Sequence, residues 1–597
     1  MPGHANPADR MSVAFRLDGR AVCVEDEALS LLDALREALG ERAPKDGCSP
    51  QGQCGCCTVW VDGAPRVSCV TPVRRVHGRE VTTTQGMPAA LARRWAEVFV
   101  ATGASQCGFC TPGIVLRLAA LESRASSARR LDEASIRTAL SAHLCRCTGW
   151  QSIVEAAGVV LGVPVGPSAT ATTDAATTTA STATTDAATT TASTATPDAA
   201  TTTASTATPA TTADAGTATA SRDPLLVTWR AQLEGPAFQA STPETVLGRA
   251  GFADDTAPRG ALVVVPRADG SLVVGADLPT ARRAAGKVQG RNSPVPLRHP
   301  LAVPEGDWAL VLRTTWVEPA YLEPDASWCT PGGQPASPLA NGGAFGGKRR
   351  SPVAAAARRL AEERKASVRV LWARDDVVRH GPKRPPVALA LRADGSGVLR
   401  VARTPGSAGL DGYAATVAAI ASGLEVELVD VPGPPVSTDL RGAGWVEALV
   451  ATTVLALRAR SDAQAGSPVE VTAPGGGRAR VSVGSGSRVH VEVWAGEVLD
   501  EVVLRSYCLG AVHQALGWVR SEGIAVDDAG EVQDYTIRSY GILPARETPW
   551  VDVTVHPEDR WPVNGSDAVL AATAAAAWLT DGLAPAWPTR RGERSLR

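Results

Sequence analysis

Apolar and polar residues alternate in two short stretches near the N-terminus, and this alternation predicts two β-hairpins. The first stretch, SVAFRLDGRAVCVE, turns at Asp18-Gly19, and the second, TVWVDGAPRVSCV, turns at Asp62-Gly63. Asp-Gly between alternating runs is a strong signal for a two-residue hairpin. Between them, SLLDALREALG has leucines at helical spacing. Two hairpins and a helix predict a small α+β domain over residues 1–86.

The pattern then changes to helical periodicity, which predicts a second domain over residues 87–163. Its four candidate helices are PAALARRWAEVFVATG, PGIVLRLAALESRA, DEASIRTALSAHL and WQSIVEAAGVVLG. Beyond them, residues 164–221 are almost wholly Ala, Thr, Ser, Asp and Pro, with a repeated twelve-residue unit. Such a composition has little to bury, so we predict a flexible low-complexity linker. Residues 222–597 form the remaining region.

Composition and charge narrow the classes of function. The chain of 597 residues has a formal net charge of −2 with both signs mixed, which gives no electrostatic reason to expect nucleic acid as a partner. No stretch reaches the roughly 18 apolar residues of a membrane span. MPGHANPADRMSVAF has no basic stretch followed by an apolar run, so no secretory signal is expected. We therefore expect a cytoplasmic protein.

The loop GCSPQGQCGCC concentrates cysteines in a way that favours a metal centre over disulfides, because a long chain in a reducing compartment needs no such staples. A [2Fe-2S] cluster needs four thiolates, and a short C-x5-C-x2-C loop plus one distant cysteine supplies them. Cys48, Cys54, Cys57 and Cys69 fit this requirement. Cys56 is then surplus, and we interpret it as a small packing residue.

A second set of cysteines lies in the loops between the predicted helices. QCGFCTPG contains Cys107 and Cys110, and LCRCTGW contains Cys145 and Cys147. Two helix-loop-helix units that face each other would bring these four thiolates into one site. A structural zinc ion is the alternative, although the C-x-C pair is tighter than the usual zinc spacing.

About residues 12–160 resemble the iron-sulfur subunit of the xanthine dehydrogenase and aldehyde oxidase family of molybdenum hydroxylases. The resemblance rests on three motifs that occur in this order: KDGCSPQGQCGCCTV, QCGFCTPG and CRCTGW. The resemblance implies a plant-type ferredoxin domain of β-grasp fold with its cluster towards a flavin. It also implies a four-helix domain with its cluster towards a molybdenum cofactor. The first loop departs from the family pattern, with five residues between Cys48 and Cys54 where four are common.

The C-terminal region contains GGAFGGKR, which satisfies the spacing of a nucleotide-binding P-loop. We reject that interpretation because Arg349 replaces the magnesium-binding Ser or Thr. Four segments of this region are similar, in order, to segments of the molybdopterin-binding subunit of the same family. They are YLEP, GGAFGGK, RGAG and GAVHQALGWVRSEGIAVDDAGEV. This resemblance implies an α+β region in which Gly343, Phe345 and Gly346 contact the cofactor.

Three features expected of a complete hydroxylase are missing. The region after the linker is about half as long as the family's large subunit, and no segment resembles a flavin domain. The family's catalytic glutamate corresponds to Ser566 in VNGSDAV, and a serine hydroxyl is not a base at neutral pH without an activating partner. Asp567 is displaced by one position and is one carbon shorter. No catalytic residue is assigned in this chain.

The sequence thus predicts a multidomain α+β electron-transfer component of a molybdenum hydroxylase with two [2Fe-2S] clusters. Its expected partners are a molybdopterin-binding large subunit and a subunit that carries FAD. One alternative is a self-contained, shortened oxidoreductase that binds molybdopterin itself. The other is a non-catalytic assembly scaffold.

Overall fold

Both predicted hairpins form in the computed structural model of the chain, and they contribute to one five-stranded sheet. Asp18 and Gly19, like Asp62 and Gly63, adopt positive φ angles, as a tight turn between twisted strands requires. The structure describes residues 12–48, 50–123, 130–167, 222–235, 241–286, 296–338, 344–460, 464–484 and 488–590. The low-complexity linker lies outside the described residues from position 168 onwards.

The N-terminal part contains five strands and five helices. Their bounds are β1 (Val13–Leu17), β2 (Arg20–Val24), α1 (Leu31–Asp33), β3 (Thr58–Val61), β4 (Ala64–Val67), β5 (Glu80–Thr82), α2 (Ala89–Ala101), α3 (Thr111–Glu122), α4 (Glu133–Ala139) and α5 (Gln151–Leu161). The sheet order is β2-β1-β5-β3-β4, with β1 and β5 parallel and the other pairs antiparallel. The four helices predicted after residue 88 are confirmed.

The helix predicted between the hairpins differs from expectation. Ser30 caps its N-terminus, since the Ser30 hydroxyl accepts a hydrogen bond from the Asp33 N–H. After one turn of α-helix, residues Ala34–Ala38 continue as a wider π-helix. In that turn Arg36 is buried and its guanidinium donates to the Asp254 carboxylate at 2.6 Å. The π-helical turn therefore carries the Arg36–Asp254 contact, which the sequence of the helix does not indicate.

Residues after the linker form three four-stranded sheets with helices packed on them. The strands are β6 (Leu262–Pro266), β7 (Leu272–Gly275), β8 (Leu310–Arg313), β9 (Asp325–Cys329), β10 (Val368–Trp372), β11 (Val387–Leu391), β12 (Gly397–Arg403), β13 (Leu424–Asp430), β14 (Val469–Thr472), β15 (Arg478–Val483), β16 (Arg488–Trp494) and β17 (Trp550–His556). The strand orders are β7-β6-β10-β9, β13-β12-β11-β8 and β14-β15-β16-β17. Within each sheet, only β6/β10, β12/β13 and β16/β17 are parallel pairs.

The helices of this region are α6 (Pro224–Glu234), α7 (Pro243–Val246), α8 (Ala253–Thr256), α9 (Leu278–Ala284), α10 (Val353–Arg364), α11 (Arg374–His380), α12 (Tyr413–Ile420), α13 (Val446–Arg458), α14 (Glu501–Arg520) and α15 (Ser566–Thr580). None of the helices in the described residues combines the length and apolar character needed to cross a membrane. The described residues on both sides of the linker belong to one compact unit. Helices α2, α3 and α5 share a hydrophobic core with α14 and α15.

His513, on α14, gives this shared core a pH-dependent stability. The ring is fully buried, and its Nε2 lies 3.0 Å from the Leu543 carbonyl oxygen. Burial and the nearby Arg146 guanidinium lower the pKa of His513 to about 4. The unfolded value is about 6.5, so the free energy of unfolding falls as the pH drops from about 6.5 towards 4.

When the pH is lowered from about 7 to about 5, we expect the titration of His513 to lower the free energy of unfolding by about 2 kcal/mol. Urea unfolding at the two pH values measures this change. His513→Gln keeps a donor towards Leu543 but does not titrate. Its pH dependence should be smaller than that of the parent chain by this amount. Equal pH dependence in the two proteins would contradict the prediction.

Candidate metal centres

The first cysteine set lies in the loop before β3 and directly after β4. Cys48, Cys54, Cys57 and Cys69 are each at most 5% exposed. The Cys48 sulfur has both Cys54 and Cys69 as hydrogen-bonding neighbours, and Cys57 is a further neighbour of Cys69. Backbone N–H groups also point at sulfur, with Cys69 N 3.5 Å from the Cys57 Sγ. The four sulfurs thus converge in a site that excludes water and supplies amide donors.

Contacts among the sulfurs make the pKa values of Cys48, Cys54 and Cys69 unequal. Hydrogen bonds from the Cys54 and Cys69 thiols hold the pKa of Cys48 well below its ordinary value. The same contacts, together with burial, raise the pKa of Cys54 and of Cys69. Crowded thiolates repel one another, so only one thiol in such a group ionises readily. A bound cation is what would allow four thiolates to coexist here.

The second cysteine set lies where α3 and α5 begin. Cys110 is the residue before α3, and its sulfur is a hydrogen-bonding neighbour of Cys145. The Cys147 and Cys107 sulfurs are 3.5 Å apart. The contact from Cys110, which outweighs the effect of burial, lowers the pKa of Cys145 to about 6. Two sulfur pairs are therefore brought together by helices that are far apart in sequence.

In the second set the sulfurs contact one another in two pairs, Cys110 with Cys145 and Cys107 with Cys147. Among the described residues, no group of three or more Cys, His, Asp or Glu side chains is arranged to hold a metal ion as it stands. A zinc ion needs four ligands around one point, whereas a [2Fe-2S] cluster takes two thiolates on each iron and spans the remaining distance with its own sulfides. The two pairs of the second set are compatible with the cluster arrangement.

The two sets touch through the backbone. A Cβ atom added at Gly113, on α3, would lie 2.3 Å from the Gly55 carbonyl oxygen, so only glycine allows this approach. The Leu144 N–H donates to the Cys54 carbonyl oxygen at 3.0 Å. The buried His143 ring packs against the same loop, with its Nε2 3.3 Å from the Thr58 hydroxyl. His143 thus lies in the contact between the two cysteine loops.

A small cleft of about 50 Å³ lies beside the second set. Its lining is formed by Arg146, Val317, Glu318, Pro319, Phe345, Arg384, Leu440, Arg441, Gln514, Trp518, Glu522 and Leu570. Phe345 has a positive φ, and its carbonyl oxygen accepts a hydrogen bond from the Arg441 N–H at 3.0 Å. Gly346 packs against the backbone of Asp439. Gly343 lies outside the described residues, so only two of the three predicted cofactor contacts have a place in the structure.

The lysine of the glycine loop is engaged in contacts within the protein. Lys348 is buried and pairs with Glu323 at 2.9 Å, while also donating to the Pro324 carbonyl oxygen. A P-loop lysine would instead extend towards phosphate. Cys329 and Cys508, the two cysteines of this region, are buried.

Comparison with known proteins identifies the N-terminal part. A family model described as a [2Fe-2S] binding domain matches residues 83–158. The nicotine 6-hydroxylase small subunit of Paenarthrobacter nicotinovorans is 36% identical over 153 residues, which cover 25% of this chain and 90% of that subunit. The xanthine dehydrogenase iron-sulfur-binding subunit of Escherichia coli O157:H7 is 38% identical over 126 residues, covering 21% and 77%. The chain belongs to the xanthine dehydrogenase and aldehyde oxidase family.

The likeness of fold extends beyond the iron-sulfur part. The aldehyde oxidoreductase of Desulfovibrio gigas superposes on this family member with a TM-score of 0.62, covering 98% of this chain and 99% of that one. The sequences are 13% identical over this superposition. At that identity the match shows the fold of the described residues after the linker and does not show their chemistry.

In this family member the residue at the position of the expected catalytic base is engaged in other contacts. The Arg441 guanidinium donates to the Ser566 hydroxyl at 2.6 Å and to the Asp567 carboxylate at 2.8 Å. The Ser566 N–H donates to the Glu234 carboxylate at 2.9 Å. A hydroxyl that faces a guanidinium has no acceptor to take its proton.

The carboxylates that line the cleft are committed to ion pairs. Glu318 binds Arg374 at 3.0 Å, and Glu522 binds Arg146 at 2.5 Å. Glu234, on α6, caps the N-terminus of α15 and was not found by sequence reasoning, because nothing in its neighbourhood signals a contact more than 300 positions away. The cleft residues therefore do not fit the role of a hydroxylase base.

Proposed function

We propose that the chain is the two-cluster electron-transfer component of a molybdenum hydroxylase, and that it passes electrons from a molybdenum centre on one partner to a flavin on another. The observation that carries the proposal is the contact, through Gly55 and Gly113, between two four-cysteine sets in which every cysteine except the half-buried Cys107 is buried. Direct backbone contact keeps the route between the sets short. The Cys107 set would receive electrons and the Cys48 set would release them.

The chain's own residues supply placement and shielding. Bound [2Fe-2S] clusters would supply reversible one-electron chemistry. Cys48, Cys54, Cys57 and Cys69 would hold the first cluster, and Cys107, Cys110, Cys145 and Cys147 the second. Val70, next to Cys69, is 49% exposed, which brings the first set close to the surface. That exposure favours the first set as the exit towards an external acceptor.

Catalysis of hydroxylation is assigned to the partner and not to this chain. Ser566 is bound by Arg441, and the cleft carboxylates are bound by arginines. Residues 222–597 would instead hold the second cysteine loop, as Gln106 shows by donating from its amide to both the Cys147 carbonyl oxygen and the Ser506 carbonyl oxygen at 3.0 Å.

The test is affinity purification of the tagged chain with its partners, followed by metal and pterin analysis of the complex and of the separated chain. We expect iron on this chain, and molybdenum and flavin on other polypeptides. Substrate added to the complex should reduce the clusters and bleach their visible absorption. Molybdopterin bound stoichiometrically to the separated chain would favour the self-contained oxidoreductase. Clusters that stay oxidised during turnover would favour the scaffold.

A further inference from the structure

Arg146 stands between the two cysteines of the second loop and carries a buried positive charge. It is 6% exposed, and both of its terminal nitrogens donate to the Glu522 carboxylate, at 2.5 and 2.6 Å. Its Nε also lies 3.2 Å from the Pro319 carbonyl oxygen. Glu522 is 2% exposed. The pair is therefore a bidentate ion pair that joins the cysteine loop to the region after the linker.

The carboxylate of Glu522 is held in place from its own side. A Cβ atom added at Gly517 would lie 2.0 Å from Glu522 Oε1, so the carboxylate packs directly on the α14 backbone. The Glu522 N–H donates to the Gly517 carbonyl oxygen at 2.7 Å. On the other side of the pair, Gln514 donates to the Arg146 carbonyl oxygen at 3.3 Å. Neither charge can move far without breaking these contacts.

Arg146 also lines two cavities. It lines the cleft beside Phe345, and it lines a small cavity shared with all four cysteines of the second set. A charge in such a water-poor place acts strongly on its surroundings because little solvent screens it. Reduction adds a negative charge at the cysteines, and this charge is stabilised by a nearby uncompensated cation.

We propose that Glu522 sets the reduction potential of the cluster held by the Cys107 set, by compensating the charge of Arg146. Glu522 is a positioning residue, since it acts through the Arg146 guanidinium that it binds. The inference rests on the proposed function, because it requires a redox centre at these cysteines. The physical basis of this proposal is that hydrogen bonds and charges near an iron-sulfur cluster change its reduction potential.

The test is a charge cycle measured by redox titration of the full chain, with EPR following each reduced cluster separately. Glu522→Gln leaves Arg146 uncompensated and should raise the potential of the second cluster. Arg146→Gln leaves Glu522 uncompensated and should lower it. The double variant, which buries no net charge at this place, should return close to the parent value. The first cluster should be unaffected in all three.

Asp581→Asn is the matched control. Like Glu522→Gln, it removes the charge of a mostly buried carboxylate that binds an arginine, here Arg520 on α14. Asp581 is not among the residues that line either cavity. This variant should leave both potentials unchanged. If a single variant does not fold, the other single variant and the double variant still give one signed shift and its reversal.

Shifts of the same sign in both single variants, or an unchanged second-cluster potential, would overturn the role of Glu522. Those outcomes differ from failure of the proposed function, in which no second reduced cluster would be observed in the parent chain. The two ideas are therefore separated by the parent titration alone.

Discussion

Cys110→Ala is expected to abolish the EPR signal of one reduced cluster and to leave the other signal intact. Cys110 is 4% exposed and is a sulfur neighbour of Cys145, so its loss leaves one iron of the second cluster with a single thiolate. A [2Fe-2S] cluster needs four thiolates, so we expect the second cluster to be lost. Iron should fall from about four to about two atoms per chain, measured by metal analysis.

Cys329→Ala is the control for that experiment. Cys329 is buried in β9, away from both cysteine sets in sequence, and its sulfur faces the Thr330 and Gly333 carbonyl oxygens. Both clusters should survive its removal. Loss of both signals in Cys110→Ala, with Cys329→Ala unaffected, would show that the two sets do not bind independent clusters.

Arg369→Leu is expected to lower the free energy of unfolding by about 3–5 kcal/mol, because it breaks a buried ion-pair network from one side. Arg369 is 3% exposed; it binds Glu37 through two nitrogens, at 3.1 and 3.2 Å, and lies 3.0 Å from Asp254. Burial alone would raise the pKa of Asp254, but Arg369 and Arg36 hold it well below its ordinary value. The variant leaves two buried carboxylates short of a cation.

The measurement is equilibrium urea unfolding at neutral pH. Because Glu37 belongs to the N-terminal sheet domain and Arg369 to β10, we also expect this domain to become more sensitive to proteolysis. Arg403→Gln, which removes one partner of the exposed Arg403–Asp430 pair, should leave the unfolding midpoint unchanged. Equal effects of the two substitutions would contradict a specific role for the buried network.

The local features of the fold could be predicted from the sequence, because short-range signals determine them. The Asp-Gly turns, the Ser30 cap and the helices around Cys107 and Cys147 each follow from residues within a few positions of one another. The cysteine spacing likewise indicates two centres without any knowledge of the fold.

The contacts that join the two halves of the chain could not be predicted in this way. Arg146 and Glu522 are 376 positions apart, and Arg369 and Glu37 are 332 apart. Either arginine, judged by its neighbours in sequence, could equally lie on the surface. Only the packing of α14 against the cysteine loop, and of β10 near the π-helical turn, brings the opposite charges together.

The most direct test of the whole account is quantitative EPR of the isolated chain, prepared anaerobically and reduced with dithionite. The account predicts two distinguishable signals, each of spin one half, that together integrate to about two spins per chain. A colourless protein without such signals, or zinc bound at the eight cysteines, would contradict it.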